Sequence, residues 1–552
     1  MRDTMTETRS VGDAVAHHLA EAGITHVFGV ISIHNMPILD AIVRAGRIRF
    51  VPARGEAGAM NMADAFSRVS GGVGVCLTST GTAAGNAAGA QAEALVAGSR
   101  VLHLTTQVDA NLADRDRAAI HDVPRQPETM RGVSKAVFRV WDARAALGTL
   151  AAALHACRAA PSGPVTIEFP VDVQRLPDEG PGTLAAPEAI LRAPDAAIRA
   201  LADALRAARR PMLWLGGGAR GASEGARRLA AMGAGTVTST QGRGTVPEDH
   251  PGSLGAFNMT PDAAALYETC DAMLVVGSRL RGNETRNNRM PLPPILQVDA
   301  DASQIGRNYP VRLGVHGDAA DVLSRLADAL EGHAFDPGLV HDIAAARAKS
   351  EGRLRGTLGP YAVIAEVLSR LVPEGKHPWV RDVTISNSTF GNRMVGVAAP
   401  NLGVHALGGG IGQGIAMGIG AALASGGPKA VVLVGDGGAQ LGLAEIATAT
   451  EEKAPLVYVL MNDRAYGVIG NIQDAQYDGR RDHSALLTPD FELVCRSVGL
   501  PHRRIDRVEA FEEALSEALA AEGPVMLEVD MIAIGPFAEP FAGPPAGAAQ
   551  KS

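Results

Sequence analysis

The chain has 552 residues, which predicts two to four domains rather than one hydrophobic core. Its 51 Lys and Arg and 59 Asp and Glu give a formal net charge of −8, which argues against a nucleic-acid-binding surface as the main function. The four cysteines are far apart and form no C-x-x-C pair. This pattern favours reduced thiols in a cytoplasmic protein over disulfides or a zinc site.

No membrane attachment is predicted from the apolar segments of the chain. The N-terminus, MRDTMTETRS, lacks the apolar stretch of a signal peptide. The most apolar run, residues 408–427, is rich in Gly and Ala and contains Gln413, which is typical of a tightly packed helix in a soluble core.

Residues 11–170 alternate helix and strand patterns, which predicts a parallel sheet with helical crossovers. Within this part, the segment ARGEAGAMNMADAFSR begins at residue 53 and places Glu56 directly after a short strand, at the start of a helix. A glutamate in the first turn of a helix is favoured by the helix dipole alone. The position of Glu56 at the start of a helix is therefore not by itself evidence that this residue takes part in catalysis.

Two similar segments close the first and last parts of the chain. SGPVTIEFPVD at residues 162–172 and EGPVMLEVDM at residues 522–531 share the pattern Gly-Pro-Val-x-[Ile/Leu]-Glu, and each follows a predicted helix. This similarity between the two segments suggests that one α/β unit is duplicated. A common turn before an unrelated strand is the alternative explanation.

Passages rich in Pro and Gly predict linkers at residues 176–194 and 332–359, with a third α/β unit between them. This unit contains PMLWLGGGARGASEGARRLAAM, which predicts a strand, a glycine turn and a helix. Gly216, Gly218 and Gly221 match a dinucleotide-binding fingerprint. However, no acidic residue follows near the end of the next strand to hold a ribose, so the match is incomplete.

The most informative stretch contains two buried strands, predicted at residues 430–434 and 456–461, with a Gly-Asp-Gly turn and a helix from near Leu441 between them. Asp436 and Asp463 each follow one strand, so adjacent parallel strands would bring both carboxylates to one sheet edge. The intervening helix N-terminus favours a phosphate, and paired hard oxygens suit Mg²⁺. The stretch predicts a Mg²⁺–diphosphate site, although Asp-Gly is also a common turn dipeptide.

A Gly-Asp-Gly segment followed one βα unit later by Asn-Asp resembles the cofactor motif of thiamine-diphosphate-dependent enzymes, in the family of pyruvate oxidase, acetolactate synthase (large subunit) and benzoylformate decarboxylase. The resemblance extends over nearly the whole chain. It implies an α/β fold of three domains, each a parallel sheet flanked by helices. A pyrimidine-binding domain (1–175) and a related diphosphate- and Mg-binding domain (355–552) would surround a Rossmann-like middle domain (190–335).

The resemblance also implies roles for individual residues. Asp436 and Asp463 would bind Mg²⁺ through their side chains and Ala465 through its backbone carbonyl. The family usually has Asn where this chain has Asp463, so the site carries an additional negative charge. Glu56 matches the catalytic glutamate that hydrogen-bonds the cofactor's pyrimidine ring. The remaining implied cofactor contacts are Asn387, Ser388, Gly409, Ile411, Gly437, Gly438, Ala439 and Tyr466. Tight packing is the alternative explanation for the glycines among them.

The substrate side departs from the family pattern. Many members have Gly-x-Pro-Gly after the first strand, whereas this chain has GVISIHN at residues 29–35, which lacks both the Pro and the second Gly. We therefore expect an unusual substrate preference. His34 in this segment and His121 in AAIHDV are candidate catalytic proton carriers, because histidine titrates near neutral pH. Either histidine could instead be a hydrogen-bonded bystander.

The predicted function is a thiamine-diphosphate- and Mg²⁺-dependent lyase or carboligase of acetolactate synthase or 2-oxo acid decarboxylase type, acting through a C2 ylid and an enamine. The resemblance implies a homodimer or homotetramer with active sites between subunits, and a small carbonyl compound as substrate. Some family members carry FAD in the middle domain, but an empty or structural middle domain is preferred here. The alternatives are a 2-hydroxyacyl-CoA or oxalyl-CoA lyase, an FAD-containing 2-oxo acid oxidase, and a non-enzymatic nucleotide-binding regulatory protein.

Overall fold

The computed structural model describes residues 9–180 and 190–543. These residues form three parallel sheets in chain order, each flanked by helices, as predicted. Within the described ranges, no helix combines the length and the apolar character that a membrane crossing requires. Residues 181–189 of the predicted linker at 176–194 lie outside the described residues.

The N-terminal domain is built on a sheet of six parallel strands in the order β2-β1-β3-β4-β6-β5. Its central strands are buried on both faces, which explains their continuous apolar sequence. The strands are β1 (His26–Gly29), β2 (Arg49–Pro52), β3 (Gly74–Leu77), β4 (Val101–Gln107), β5 (Ala136–Arg139) and β6 (Val165–Pro170). The helices are α1 (Val11–Glu21), α2 (Met36–Ala45), α3 (Glu56–Ser70), α4 (Thr82–Ala97), α5 (Gln126–Arg131), α6 (Ala146–Arg158) and α7 (Val171–Arg175).

The middle domain has a sheet of five parallel strands in the order β11-β10-β9-β7-β8. The strands are β7 (Pro211–Leu215), β8 (Gly235–Thr238), β9 (Ala272–Val276), β10 (Ile295–Asp299) and β11 (Val311–His316). The helices are α8 (Asp195–Arg206), α9 (Ser223–Ala231), α10 (Pro261–Glu268), α11 (Ala319–Ala329) and α12 (Pro337–Thr357). At the glycine fingerprint, a Cβ on Gly216 would lie 2.2 Å from the carbonyl oxygen of Gly277, so this glycine allows two strand ends to touch.

Helix α12 replaces most of the linker predicted at residues 332–359, so that prediction is wrong. The helix begins with the Asp336 carboxylate accepting the Gly338 N–H at 2.9 Å, with a proline in the first turn. Leu339 and Ile343 are completely buried in the core of the middle domain. The glycines of this segment suggested a loop, but the cap and the apolar face outweigh their cost of about 1 kcal/mol each.

The C-terminal domain has six parallel strands in the order β13-β12-β14-β15-β17-β16. The strands are β12 (Trp379–Arg381), β13 (Gly403–His405), β14 (Ala430–Gly435), β15 (Leu456–Asn462), β16 (His502–Ile505) and β17 (Val525–Asp530). The helices are α13 (Tyr361–Glu374), α14 (Gly414–Ala424), α15 (Asp436–Leu441), α16 (Glu445–Glu451), α17 (Gly467–Gln476), α18 (Phe491–Ser497), α19 (Phe511–Ala520) and α20 (Met531–Ile534). The helix after the Gly-Asp-Gly segment thus begins at Asp436, not near Leu441, because an acidic first turn is favoured at a helix N-terminus.

The first and last domains share one topology. Numbered within each domain, both sheets follow the order 2-1-3-4-6-5. The two Gly-Pro-Val-x-[Ile/Leu]-Glu segments form β6 and β17, which occupy corresponding positions. This agreement supports the predicted duplication. The two domains also pack together, because α3 and α14 contribute to a common core that contains Met60, Ala63, Ile415 and Ile419.

Candidate active site

Two carboxylates lie at the carboxyl edge of the C-terminal sheet. Strands β14 and β15 are neighbours, with Gly435 opposite Met461, so Asp436 and Asp463 leave the sheet side by side. Asp436 is 1% exposed, and its Oδ2 has no hydrogen-bond partner within the described residues. Asp463 is half-buried, and its Oδ1 accepts the Ala465 N–H at 3.2 Å.

The electrostatics of this pair fit a cation. Burial and the negative charge of Asp463 raise the pKa of Asp436 to about 7, and burial also raises the pKa of Asp463. Two neighbouring carboxylates removed from water can both stay ionised only with a positive partner; without one, one of them takes up a proton. A divalent cation with few protein ligands would satisfy the unpartnered oxygen and remove the repulsion.

Beside the carboxylates, the backbone of the first turn of α15 packs against the side chains of Tyr466 and Asp382. Gly437, Gly438 and Ala439 are buried there, and N–H groups in this position have no partner inside the helix. A Cβ on Gly437 would lie 2.6 Å from Cε1 of Tyr466, and a Cβ on Gly438 would lie 2.9 Å from Oδ2 of Asp382. The glycines are therefore required by the close packing, and the free N–H groups could receive a phosphate.

Asn387 and Ser388 occur in a short helical turn after β12, at the same edge of the sheet. Asn387 is 5% exposed, and no described residue bonds its Oδ1. Ser388 is half-buried, and its carbonyl oxygen accepts from Nη1 of Arg393 at 3.1 Å. The unpartnered amide oxygen of Asn387 is thus available to a bound group.

The loop that carries Gly409 and Ile411 follows β13 and is exposed at these two positions. Gly409 has φ +81°, a conformation that glycine adopts without strain. The far end of the loop is held by Asp382, whose Oδ2 accepts from the Gly412 N–H at 3.0 Å and the Gly414 N–H at 3.1 Å. Burial raises the pKa of Asp382 to about 6. Sequence reasoning missed this aspartate, because the three-residue strand β12 before it was not recognised as a strand.

Glu56 is the first residue of α3 and is half-buried. Its Oε2 accepts from Nδ2 of Asn86 at 3.1 Å. The preceding backbone is held by the C-terminal domain, because the Glu445 carboxylate accepts the N–H groups of Arg54 and Gly55, each at 3.1 Å. No local pattern identified Glu445 in the sequence, since its partners are almost 400 residues away.

The structure brings His34 and His121 together. Their ring centroids are 5.3 Å apart and the rings are nearly perpendicular, at 78°. His34 is buried, and its Nδ1 has no partner in the described part of the chain. Burial and the neighbouring His121 lower the pKa of His34. His121 is exposed and has φ +70° in a loop with several left-handed non-glycine residues.

The predicted residues therefore form two groups within one chain. The predicted metal and diphosphate residues and the Gly409 loop lie at the carboxyl edge of the C-terminal sheet, whereas Glu56, His34 and His121 belong to the N-terminal domain.

A cavity of about 710 Å³ lies beside the glycine turn and is lined by residues of all three domains. Gly217, Gly218 and Gly221 line it together with several arginines and acidic side chains. The cavity is large enough for a small-molecule ligand.

Two domains of the same topology on either side of a third, with an acidic pair at one sheet edge, define a three-domain α/β protein with a candidate metal site. Three family models match the chain in order. Residues 9–128 match the N-terminal thiamine-pyrophosphate-binding domain of the thiamine pyrophosphate enzymes, residues 198–326 the central domain, and residues 386–529 the C-terminal thiamine-pyrophosphate-binding domain. The chain belongs to this enzyme family.

Several relatives align with this chain over almost their full length. A probable 2-ketoarginine decarboxylase, AruI, of Pseudomonas aeruginosa is 29% identical over 95% of this chain and 94% of the relative. A probable acetolactate synthase large subunit of Methanocaldococcus jannaschii is 28% identical over 94% and 91%. The acetolactate synthase isozyme 1 large subunit of Escherichia coli is 27% identical over 95% of each chain. The predicted family, fold class and enzymatic nature are confirmed.

Proposed function

We propose that the protein is a thiamine-diphosphate- and Mg²⁺-dependent lyase or carboligase that acts on a 2-oxo acid. The observation that carries this proposal is the Asp436–Asp463 pair, in which a buried carboxylate oxygen has no partner among the described residues, beside the buried glycines of α15. The relatives named as a 2-ketoarginine decarboxylase and as acetolactate synthases support a 2-oxo acid as the substrate class.

The chain's own residues would hold the cofactor as follows. Asp436, Asp463 and the carbonyl of Ala465 bind Mg²⁺, and the N–H groups of residues 437–439 bind the diphosphate with Asn387 and Ser388. Tyr466 supports this turn from the side, since its ring packs on Gly437.

The Gly409 carbonyl would accept from the amino group of the pyrimidine, and the exposed Ile411 side chain would pack against the cofactor. When bound, thiamine diphosphate would supply a carbon nucleophile for the substrate carbonyl and an electron sink for carbon–carbon cleavage.

Glu56 would share a proton with a ring nitrogen of the pyrimidine, which a carboxyl group at the start of a helix can do. In the proposed assembly, a homodimer or homotetramer, Glu56 serves the metal site of a neighbouring subunit. His34 and His121 would carry protons to and from the substrate. Because the pKa of His34 is lowered, its ring is neutral at neutral pH and can accept a proton.

The test is proton NMR of the protein with thiamine diphosphate, Mg²⁺ and a panel of 2-oxo acids with aliphatic, aromatic and guanidino side chains. We expect consumption of at least one acid by the wild type and a loss of turnover of about 100-fold or more in Glu56→Gln. An aldehyde product indicates decarboxylation, and a hydroxyketone or acetohydroxy acid indicates carboligation.

Glu224→Gln is the matched control, because Glu224 is an exposed glutamate in the first turn of α9 of the middle domain. Its substitution should leave turnover unchanged. Absence of thiamine diphosphate binding at saturating Mg²⁺ would contradict the proposal.

The cavity beside the glycine turn favours a second candidate, in which the middle domain holds a nucleotide-containing ligand such as FAD or a CoA ester. A yellow protein as purified, or adenine nucleotide released on denaturation, would support an oxidase or an acyl-CoA lyase.

The four cysteines are free thiols, which suits the reducing cytoplasm that we propose as the location.

A further inference from the structure

The backbone just before Gly409 is held by side chains from both other domains. Nη1 of Arg68, on α3 of the N-terminal domain, donates to the carbonyl of His405 at 2.7 Å. Nη2 of Arg281, in the middle domain, donates to the carbonyl of Leu407 at 2.7 Å. Residues 405–408, which belong to the C-terminal domain, are therefore a meeting point of all three domains.

Glu93, on α4, binds the same segment through its carboxylate. Its two oxygens accept the Leu407 N–H at 2.7 Å and the Gly408 N–H at 2.5 Å, and Nη2 of Arg68 donates to it at 3.0 Å. The side chains of Glu93 and Arg68 are each 1% exposed. Burial alone would lower the pKa of Arg68, but the carboxylates of Asp64 and Glu93 raise it, so the guanidinium stays charged.

The loop is consequently restrained at both ends and open in the middle. Glu93 holds its start, and Asp382 holds Gly412 and Gly414 at its end. Residues 408–411 between these attachments are exposed. Three of these four residues are glycines, so their backbone would sample many conformations if either attachment were lost.

We propose that Glu93 is a positioning residue that holds the Gly409 loop in the conformation that binds the cofactor. The N-terminal domain would thereby control the cofactor affinity of the C-terminal domain in its own chain. The inference rests on the proposed thiamine diphosphate site. Its physical basis is that the two hydrogen bonds are accepted by a charged carboxylate whose side chain is 1% exposed, and hydrogen bonds to a buried charged group are strong.

Glu93→Gln tests the role with little change in shape. A glutamine oxygen can accept one N–H, but its amide nitrogen then faces the other N–H as a second donor. Arg68 keeps its partner Asp64, whose Oδ1 accepts from Nε at 2.8 Å, so the variant should fold. We expect affinity for thiamine diphosphate at saturating Mg²⁺ to fall about tenfold, and faster hydrogen exchange at the Leu407 and Gly408 amides of the cofactor-free protein. Glu93→Asp, which keeps the charge, should lose less affinity.

Glu248→Gln is the matched control. Glu248 is also a buried, arginine-paired carboxylate of another domain, and it accepts an N–H of the C-terminal domain, that of Val397 at 3.3 Å. We expect this variant to retain wild-type cofactor affinity. Unchanged affinity in Glu93→Gln, or an equal loss in both variants, would overturn the inference. Failure of the wild type to bind thiamine diphosphate would overturn the proposed function instead, and the wild-type titration separates these two failures.

Discussion

The rings of His34 and His121 meet edge to face, with centroids 5.3 Å apart, although the two residues belong to different loops of the N-terminal domain. One ring is buried and the other is exposed to solvent. A buried histidine beside an exposed one can pass a proton between a closed site and water. His34 lies in the segment that departs from the family's Gly-x-Pro-Gly pattern, and His121 contacts it, so we expect these histidines to influence which substrate is used.

We predict that His121→Gln lowers kcat about 100-fold with little change in the melting temperature, because the exposed ring contributes little to packing. Steady-state kinetics with the substrate identified by NMR and a thermal melt measure both quantities. His17→Gln, at an exposed position on α1, is the control and should change neither. Full activity of His121→Gln would assign His121 a bystander role.

The acidic pair predicts a pH-dependent response to Mg²⁺. Folding raises the pKa of Asp436 from its ordinary value of 3.8 to about 7. Between these two pH values, the metal-free native state therefore binds more protons at this site than the unfolded state does. Stability of the metal-free protein at this site therefore falls as the pH rises from about 4 to about 7. Mg²⁺ binds the ionised pair, so it should raise the melting temperature more at about pH 8 than at about pH 6.

Asp463→Asn provides the matched test, because it keeps an oxygen ligand and removes one charge. The pKa of Asp436 should fall but stay raised, because burial, the largest cause of its rise, remains, so the stabilisation by Mg²⁺ should depend less on pH over the same window. Thermal melts with and without Mg²⁺ at both pH values measure this difference. An identical pH dependence in the wild type and the variant would show that the Asp436–Asp463 repulsion does not control metal binding.

The sequence predicted elements whose signal is local and missed contacts that depend on distant parts of the chain. Strands β14 and β15 and their terminal acids were predictable, since buried strands leave continuous apolar runs and parallel strands end at one edge. Glu93 and Glu445 were not, because only the packing of one domain on another gives each carboxylate its partners. The three-residue strand β12 gave no pattern, and Asp382 was overlooked with it.

Helix α12 gives a stability test of the failed linker prediction. Ile343 is completely buried, so Ile343→Ala should lower the free energy of unfolding by about 2–5 kcal/mol. Lys349→Ala, at an exposed position of the same helix, should change it by less than about 0.5 kcal/mol. Denaturant titration of the variants measures the two values. Equal and small effects would indicate that α12 connects the domains without contributing to a core.

Subunit mixing tests whether the active site lies between two chains. Glu56→Gln removes the proposed catalytic carboxyl group, and Asp436→Ala removes a proposed metal ligand, so each pure variant should be inactive. If Glu56 of one chain serves the metal site of its partner, a mixed dimer contains one intact site and one doubly altered site. Random reassembly of equal amounts should then restore about a quarter of the wild-type activity, because half of the dimers are mixed and each mixed dimer has one intact site of two.

If both residues act within one chain, every site in the mixture carries a substitution, and activity stays absent. Unfolding and refolding the variants together, with each variant refolded alone as the control, distinguishes these arrangements.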